Sequence, residues 1–241
     1  MRTQTQAEQV IEAMRQNGGY AEFGRLNRLI DFSSWKTKSP AASVRRIVQL
    51  NKAFYRIQPG LWALKERRRE VEERLRLKAR DKKGTGIFTH SYYQGLVTEI
   101  GNMKNMQTYV PAQDKNKLFL ETPLKNIAGL SRIYNFTYPE ILRRVASVDV
   151  IWFNERNLPD SFFEIEHSTT MRNSLSKFCM VRDYFARFVI VAPKFKRNQF
   201  AEVSADPLFA PIRNRVTFTD YDTISDQYAA LFKLRGIPNK I

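Results

Sequence analysis

Val148-Asp149-Val150-Ile151-Trp152-Phe153 and, a few residues on, Ser161-Phe162-Phe163-Glu164-Ile165-Glu166-His167 are two apolar runs, each interrupted by acid. Both are rich in β-branched and aromatic residues. The polar stretch between them, Asn154-Glu155-Arg156-Asn157-Leu158-Pro159-Asp160, has turn chemistry, so the spacing predicts a β-hairpin. Side chains alternate faces along a strand. Glu164 and Glu166 therefore share one side, opposite Phe163 and Ile165, and the hairpin brings Asp149 beside them. Clustered carboxylates repel one another and are costly to desolvate, so a fold that gathers three calls for a cation. Hard oxygen donors suit magnesium or manganese. The alternative is that both glutamates lie on the wet face of an edge strand.

Asp149-Val150-Ile151-Trp152 followed by Phe163-Glu164-Ile165-Glu166-His167-Ser168-Thr169 resembles the core of the PD-(D/E)XK nuclease superfamily, which includes restriction-endonuclease-like proteins. The resemblance spans about residues 88–235. It implies that Asp149 and Glu164, on adjacent strands, bind the metal. The third motif position, commonly lysine, is Glu166 here, as in the Glu-x-Glu variant, which leaves the general base open. The resemblance also implies an acid on the helix before the hairpin, for which Glu99 is the candidate, the alternative being a surface glutamate flanking an apolar stripe. A basic residue absent from the strand can come from the following helix. Lys177 is the residue to name for that, although a plain solvated lysine is the reading its sequence favours.

With 40 Lys and Arg against 24 Asp and Glu the chain stands at +16, a field that attracts polyanions before any specific contact forms. The excess is uneven, +11 over residues 1–84 and +5 over 85–241. A hydrophobic content of 43%, with 17 Phe and 10 Tyr, supplies packed cores and argues against a disordered chain. The single cysteine, Cys179, excludes an internal disulfide. No apolar stretch approaches the roughly 20 residues of a membrane span, and no signal-peptide pattern opens the chain, so a cytoplasmic protein without membrane association is expected.

Thr5 with Glu8 forms a capping box, and Ala7, Val10, Ile11 and Met14 give one apolar stripe before Gly18-Gly19 stops a first helix. A second short helix is expected over residues 22–30. Ser39-Pro40 opens a third, running to Leu50 with Val44, Ile47 and Val48 inward. Residues 53–57 and 61–64 then flank a Gln58-Pro59-Gly60 turn as a hairpin. Three helices and a hairpin resemble a winged helix. That likeness makes Lys36, Lys38, Ser43, Arg45 and Arg46 on or before the third helix, with Arg56 on the hairpin, the DNA-contact candidates. A protein-binding winged helix is the alternative.

Residues 65–83 form a charge run with Glu70/Arg74 and Glu72/Arg76 at i,i+4 spacing, consistent with a solvated connecting helix. Gly84-Thr85-Gly86 marks the boundary after it. An amphipathic helix is expected over 90–106, with Tyr93, Leu96, Val97 and Ile100 on its apolar face. A strand at 107–111, a short helix at 139–145, a helix from Ser168 to Tyr184, strands at 188–192 and 215–218, and a closing helix at 222–234 complete the reading. His167 faces away from the two glutamates by alternation, which favours a structural role. Zinc-ligand spacing and a glycine-rich phosphate loop are both absent.

The expected fold is α/β (α+β): a winged helix over 1–64, a charged helical linker over 65–84, and a PD-(D/E)XK-like mixed-sheet domain over 85–241. The expected function is a magnesium- or manganese-dependent endonuclease acting on double-stranded DNA, with the catalytic set Asp149, Glu164, Glu166 and Glu99, working as a homodimer. The competing readings are a non-catalytic DNA-binding regulator with a decayed nuclease fold, and a nuclease directed at RNA.

Overall fold

The computed structural model describes residues 4–75, 77, 82–167 and 171–235, without the side chains of 82–88, 233 and 235. It is a mixed α and β fold whose chain separates into two compact units, Met1–Arg80 with Ser225–Ile241, and Asp81–Ile224. Among the described residues no helix is long and apolar enough to cross a membrane.

The first unit begins with α1 (Gln6–Gln16), opened by the expected reciprocal Thr5–Glu8 capping box. Gly18 and Gly19 sit at φ +84° and +91°, where a side chain would be strained, and the Gly19 N–H donates to the Met14 carbonyl at 2.8 Å to close the helix. A strand that the sequence did not announce, β1 (Tyr20–Glu22), follows directly. Three residues are too few for alternation to register. After it come α2 (Phe23–Leu29), α3 (Pro40–Leu50), β2 (Phe54–Gln58) and β3 (Leu61–Leu64), with sheet order β1-β3-β2, all antiparallel. Val10, Met14, Leu26, Val44, Val48 and Leu64 are wholly or almost wholly withdrawn from water in one core.

The charge run is only partly a helix here. α4 (Arg68–Arg74) stops at Leu75, and its Val71 and Leu75 are buried rather than solvated. Glu72 pairs with Arg68 at 2.7 Å. The expected Glu72–Arg76 pair and, apart from Leu77, the rest of the run to residue 81 lie outside the described residues. Gly84-Thr85-Gly86 lies inside α5 (Lys82–Met103), not at a boundary. A glycine in a helix interior carries an intrinsic penalty of about 1 kcal/mol, which a 22-residue helix can absorb.

The second unit is built on a five-stranded sheet. β4 (Gln107–Tyr109), β7 (Val150–Phe153), β8 (Pro159–Ile165), β9 (Arg187–Ala192) and β10 (Val216–Asp220) stand in the order β10-β9-β8-β7-β4. The β4–β7 and β7–β8 pairs are antiparallel, and β8–β9 and β9–β10 are parallel. A two-stranded ribbon, β5 (Leu118–Phe119) with β6 (Thr122–Pro123), precedes α6 (Pro139–Val145). α7 (Met171–Cys179) and α8 (Arg197–Ser204) lie between the later strands, and α9 (Tyr221–Arg235) closes the chain, its residues from Ser225 grouping with the first unit. The helix expected from Ser168 to Tyr184 is thus shorter; residues 168–170 lie outside the described set.

Alternation assigns the two faces of the sheet. Ile151, Phe153, Phe162 and Phe188 pack with Met171, Leu175 and Phe178 of α7. Trp152 and Phe163 meet on the other face, their rings 4.4 Å apart, and the Trp152 indole N–H donates to the Val97 carbonyl of α5 at 3.2 Å. Gly101 permits that approach: a Cβ there would stand 2.5 Å from Trp152 Nε1 and 2.6 Å from Thr108 Cγ2. Gly101→Ala should lower unfolding free energy by roughly 1–3 kcal/mol, as overpacking does. Chemical denaturation checks it, and an unchanged midpoint would show that α5 has room to retreat.

Candidate active site

The β7–β8 register builds the site. Val150 pairs with Phe163, which sets Asp149 across from Glu164 at the mouth of the hairpin. Its far end turns at Asn157, held at φ +60°. Asp149, Glu164 and Glu166 are 9%, 4% and 3% exposed, so the wet-face alternative does not hold.

Each carboxylate has a defined partner. The Ile165 N–H donates to Asp149 Oδ2 at 2.7 Å, and His90 Nε2 lies 3.2 Å from the same oxygen. The Gln94 amide donates to the Asp149 carbonyl at 2.7 Å and to Asp114 Oδ2 at 3.0 Å. From α7, the Ser174 hydroxyl bridges Glu164 and Glu166. Lys177 Nζ donates to both Glu164 oxygens, at 2.7 and 3.0 Å, and to the Ser147 carbonyl at 3.0 Å. Lys177 is therefore an engaged site residue, not a solvated lysine.

The electrostatics follow from burial and proximity. Burial and the charge of Asp149 push the Glu164 carboxyl up to about 8, against the opposing pull of Lys177 and Ser174. Burial draws the His90 imidazole down, but the hydrogen bond and charge of Asp149, with Asp114 behind it, leave it above its ordinary value. Burial pulls His167 down, aided by the charges of Lys196 and His90; its ring lies parallel to Tyr221 at 6.4 Å between centroids. The Tyr221 hydroxyl is raised by burial and by Glu166 and Asp149.

Glu164 carries a sign for pH dependence. Between 4.5 and about 8 the fold without metal retains a proton that the unfolded chain has released. Stability from this group is present below 4.5 and is lost as pH rises through about 8. In chelator, the stability of wild type relative to Glu164→Gln should fall across that window in thermal unfolding. A difference that rises with pH would contradict the assignment.

The expected convergence of three acids into a cage does not occur: among the described residues no group of three or more His, Cys, Asp and Glu side chains stands ready to hold a metal ion. Ser174 and Lys177 occupy oxygens of the glutamates instead. Asp149 and Glu164 stand opposite one another across the β7–β8 pair. Glu99 is half-buried and lies nine positions from His90, about half a turn around α5 at 3.6 residues per turn, on the opposite side of that helix from His90. α5 contributes His90 and Gln94 to the surroundings of Asp149, and their i,i+4 spacing beside the apolar stripe was the overlooked signal. Ser174, three residues before the anticipated Lys177 on α7, was the other.

In the first unit, Lys36, Lys38, Arg46 and Arg56 are exposed. Arg45 is half-exposed, pairs with Asp226 at 2.5 Å and lies over the Phe23 ring at 4.9 Å. Ser43 is half-buried, within hydrogen-bonding distance of the Thr37 hydroxyl at 3.3 Å and the Ser39 carbonyl at 3.4 Å.

Comparison with known proteins adds the lineage. Over 161 residues the chain is 22% identical to the Type II restriction enzyme NmeDI of Neisseria meningitidis serogroup C, a match that covers 63% of this chain and 45% of that protein. The chain thus spans under half the length of the curated relative it matches. No solved structure matches. Residues 73–240, taking in the whole hairpin and every residue of the site above, match the family described as the Type II restriction enzyme NmeDI C-terminal domain, and the chain belongs to that family.

Proposed function

We propose that the protein is a divalent-metal-dependent DNA endonuclease of restriction type, with a PD-(D/E)XK-like catalytic unit and a winged-helix unit that aids DNA recognition. The observation that carries the reading is the cross-strand pair: two buried carboxylates, one raised by its burial and by the charge of the other, in a chain of a restriction-enzyme family. That donor set, two carboxylates offering hard oxygen donors, fits magnesium or manganese. Asp149 and Glu164 would hold it. When bound, such an ion stabilises charge on a scissile phosphate and lowers the pKa of an attacking water.

The surrounding residues orient and shield. His90 and the Ile165 amide fix Asp149, Lys177 fixes Glu164, and Glu166, tied through Ser174, is the acid left to orient a water for attack. The order α1-β1-α2-α3-β2-β3 supports the winged-helix reading, with Lys36, Lys38, Arg46 and Arg56 on phosphates. Arg46→Ala should weaken duplex binding uniformly across sequences and reduce the slope of log affinity against log salt by about 1. Fluorescence anisotropy at several salt concentrations checks this, and an unchanged slope would remove Arg46 from the interface. Cutting both strands calls for two catalytic centres, hence a homodimer.

The alternative is a DNA-binding regulator whose nuclease unit has decayed. It is favoured by one observation, the direct neutralisation of Glu164 by Lys177. Thermal unfolding with and without magnesium or manganese discriminates the two. A site that binds an ion gains stability as the ion is added, and that gain should vanish in Asp149→Asn. No shift with either ion would favour the regulator.

A further inference from the structure

β9 ends at Ala192, and Pro193 leads into a single 3-10 turn, Lys194–Lys196, ahead of α8. Three consecutive side chains there have different surroundings. Lys196 is buried, Lys194 is exposed, and Phe195 between them keeps 79% of its surface in water. The turn is well tied: the Lys196 N–H donates to the Pro193 carbonyl at 2.9 Å. Just beyond it, Arg197 lies over the Phe218 ring at 4.7 Å and 3.6 Å from Asp220. Folding gains nothing from a phenylalanine held out on such a turn, since burying that side chain is what stabilises.

Its position gives it a use. Ile165 pairs with Val191, and the Glu166 N–H donates to the Val191 carbonyl at 2.8 Å, so Ala192 is the strand position beside Glu166. Phe195 lies three residues further, at most about 10 Å along the chain. The exposed cations Lys194 and Arg197 flank it. Phe185 is more exposed still but precedes the other end of β9, about 20 Å of strand away.

We propose that Phe195 stacks on a base of the duplex held at the carboxylate pair, with Lys194 and Arg197 on the adjacent phosphates. The inference rests on the nuclease reading. A flat apolar ring between cations, on a chain of charge +16, is complementary to a base step and its backbone. Seated there, the ring unstacks the duplex locally and fixes which phosphate lies over Asp149 and Glu164.

The test first maps wild-type cut sites on plasmid DNA with magnesium, then places 2-aminopurine in duplexes around a mapped site and measures fluorescence and affinity with calcium in place of magnesium. Wild type and Phe185→Ala should both unstack the probe. Phe195→Ala should lose the fluorescence rise and bind roughly tenfold more weakly, and Phe195→Trp should restore both. If Phe195→Ala cuts the same DNA with wild-type affinity and fluorescence, stacking is overturned and the nuclease reading stands. If wild type neither binds nor cuts any duplex, both fall together.

Discussion

Asp149→Asn should abolish DNA cleavage while leaving the fold and duplex binding in place. The substitution is almost isosteric, and the new amide oxygen can still accept the Ile165 N–H that Asp149 accepts at 2.7 Å, so the hairpin keeps its register. What disappears is a negative charge in a site of three buried carboxylates, Asp149, Glu164 and Glu166. An ion shared by Asp149 and Glu164 would lose one of its charged donors. Several kcal/mol of transition-state stabilisation would go with it, a fall in cleavage rate of about 10³-fold or more. Glu164→Gln should match it. Single-turnover cleavage beside an affinity measurement separates the outcomes. Retained cleavage in either variant removes the pair from catalysis, and lost binding would mean the effect was structural.

Lys177→Met has the second-largest expected effect. Its Nζ reaches both oxygens of Glu164 from α7, and its charge opposes the burial and the Asp149 repulsion that push Glu164 up to about 8. Without the ammonium, Glu164 should hold its proton more tightly still and compete poorly for a cation near neutral pH. Cleavage should fall about 100-fold, the scale of losing one preorganised electrostatic donor. Raising either pH or metal concentration should recover part of the loss, since each favours the metal-bound carboxylate over the protonated one. A rate that falls without such recovery would give Lys177 a direct role on the scissile phosphate; an unchanged rate would make it a plain structural tie.

The parts legible in sequence were those with strong periodicity. The acid-bearing hairpin, the capped α1, α3 opened by Ser39-Pro40, and α6 all appear close to their expected bounds. Alternation correctly put Glu164 and Glu166 on one face, where the Ser174 hydroxyl reaches both, because side chains two apart on a strand share a side. The losses have physical causes. β1 and the β5–β6 ribbon are two or three residues long, below the reach of any period. His90 and Gln94 went unread because an apolar stripe does not say which of its flanks faces β7; Trp152 packing at Gly101 and Val97 decides that, and it turns both toward Asp149. Arg45 carried the charge expected of a DNA contact, but its partner Asp226 lies 181 residues away, out of sight of local pattern.

The most direct test of the central claim is incubation of the purified protein with modified and unmodified duplex DNA, with magnesium and with chelator, and with Asp149→Asn run alongside. The account predicts discrete products on a gel with wild type and magnesium, none with chelator and none with Asp149→Asn. Tight duplex binding with no cleavage on any substrate, or cleavage that persists in Asp149→Asn, would contradict it.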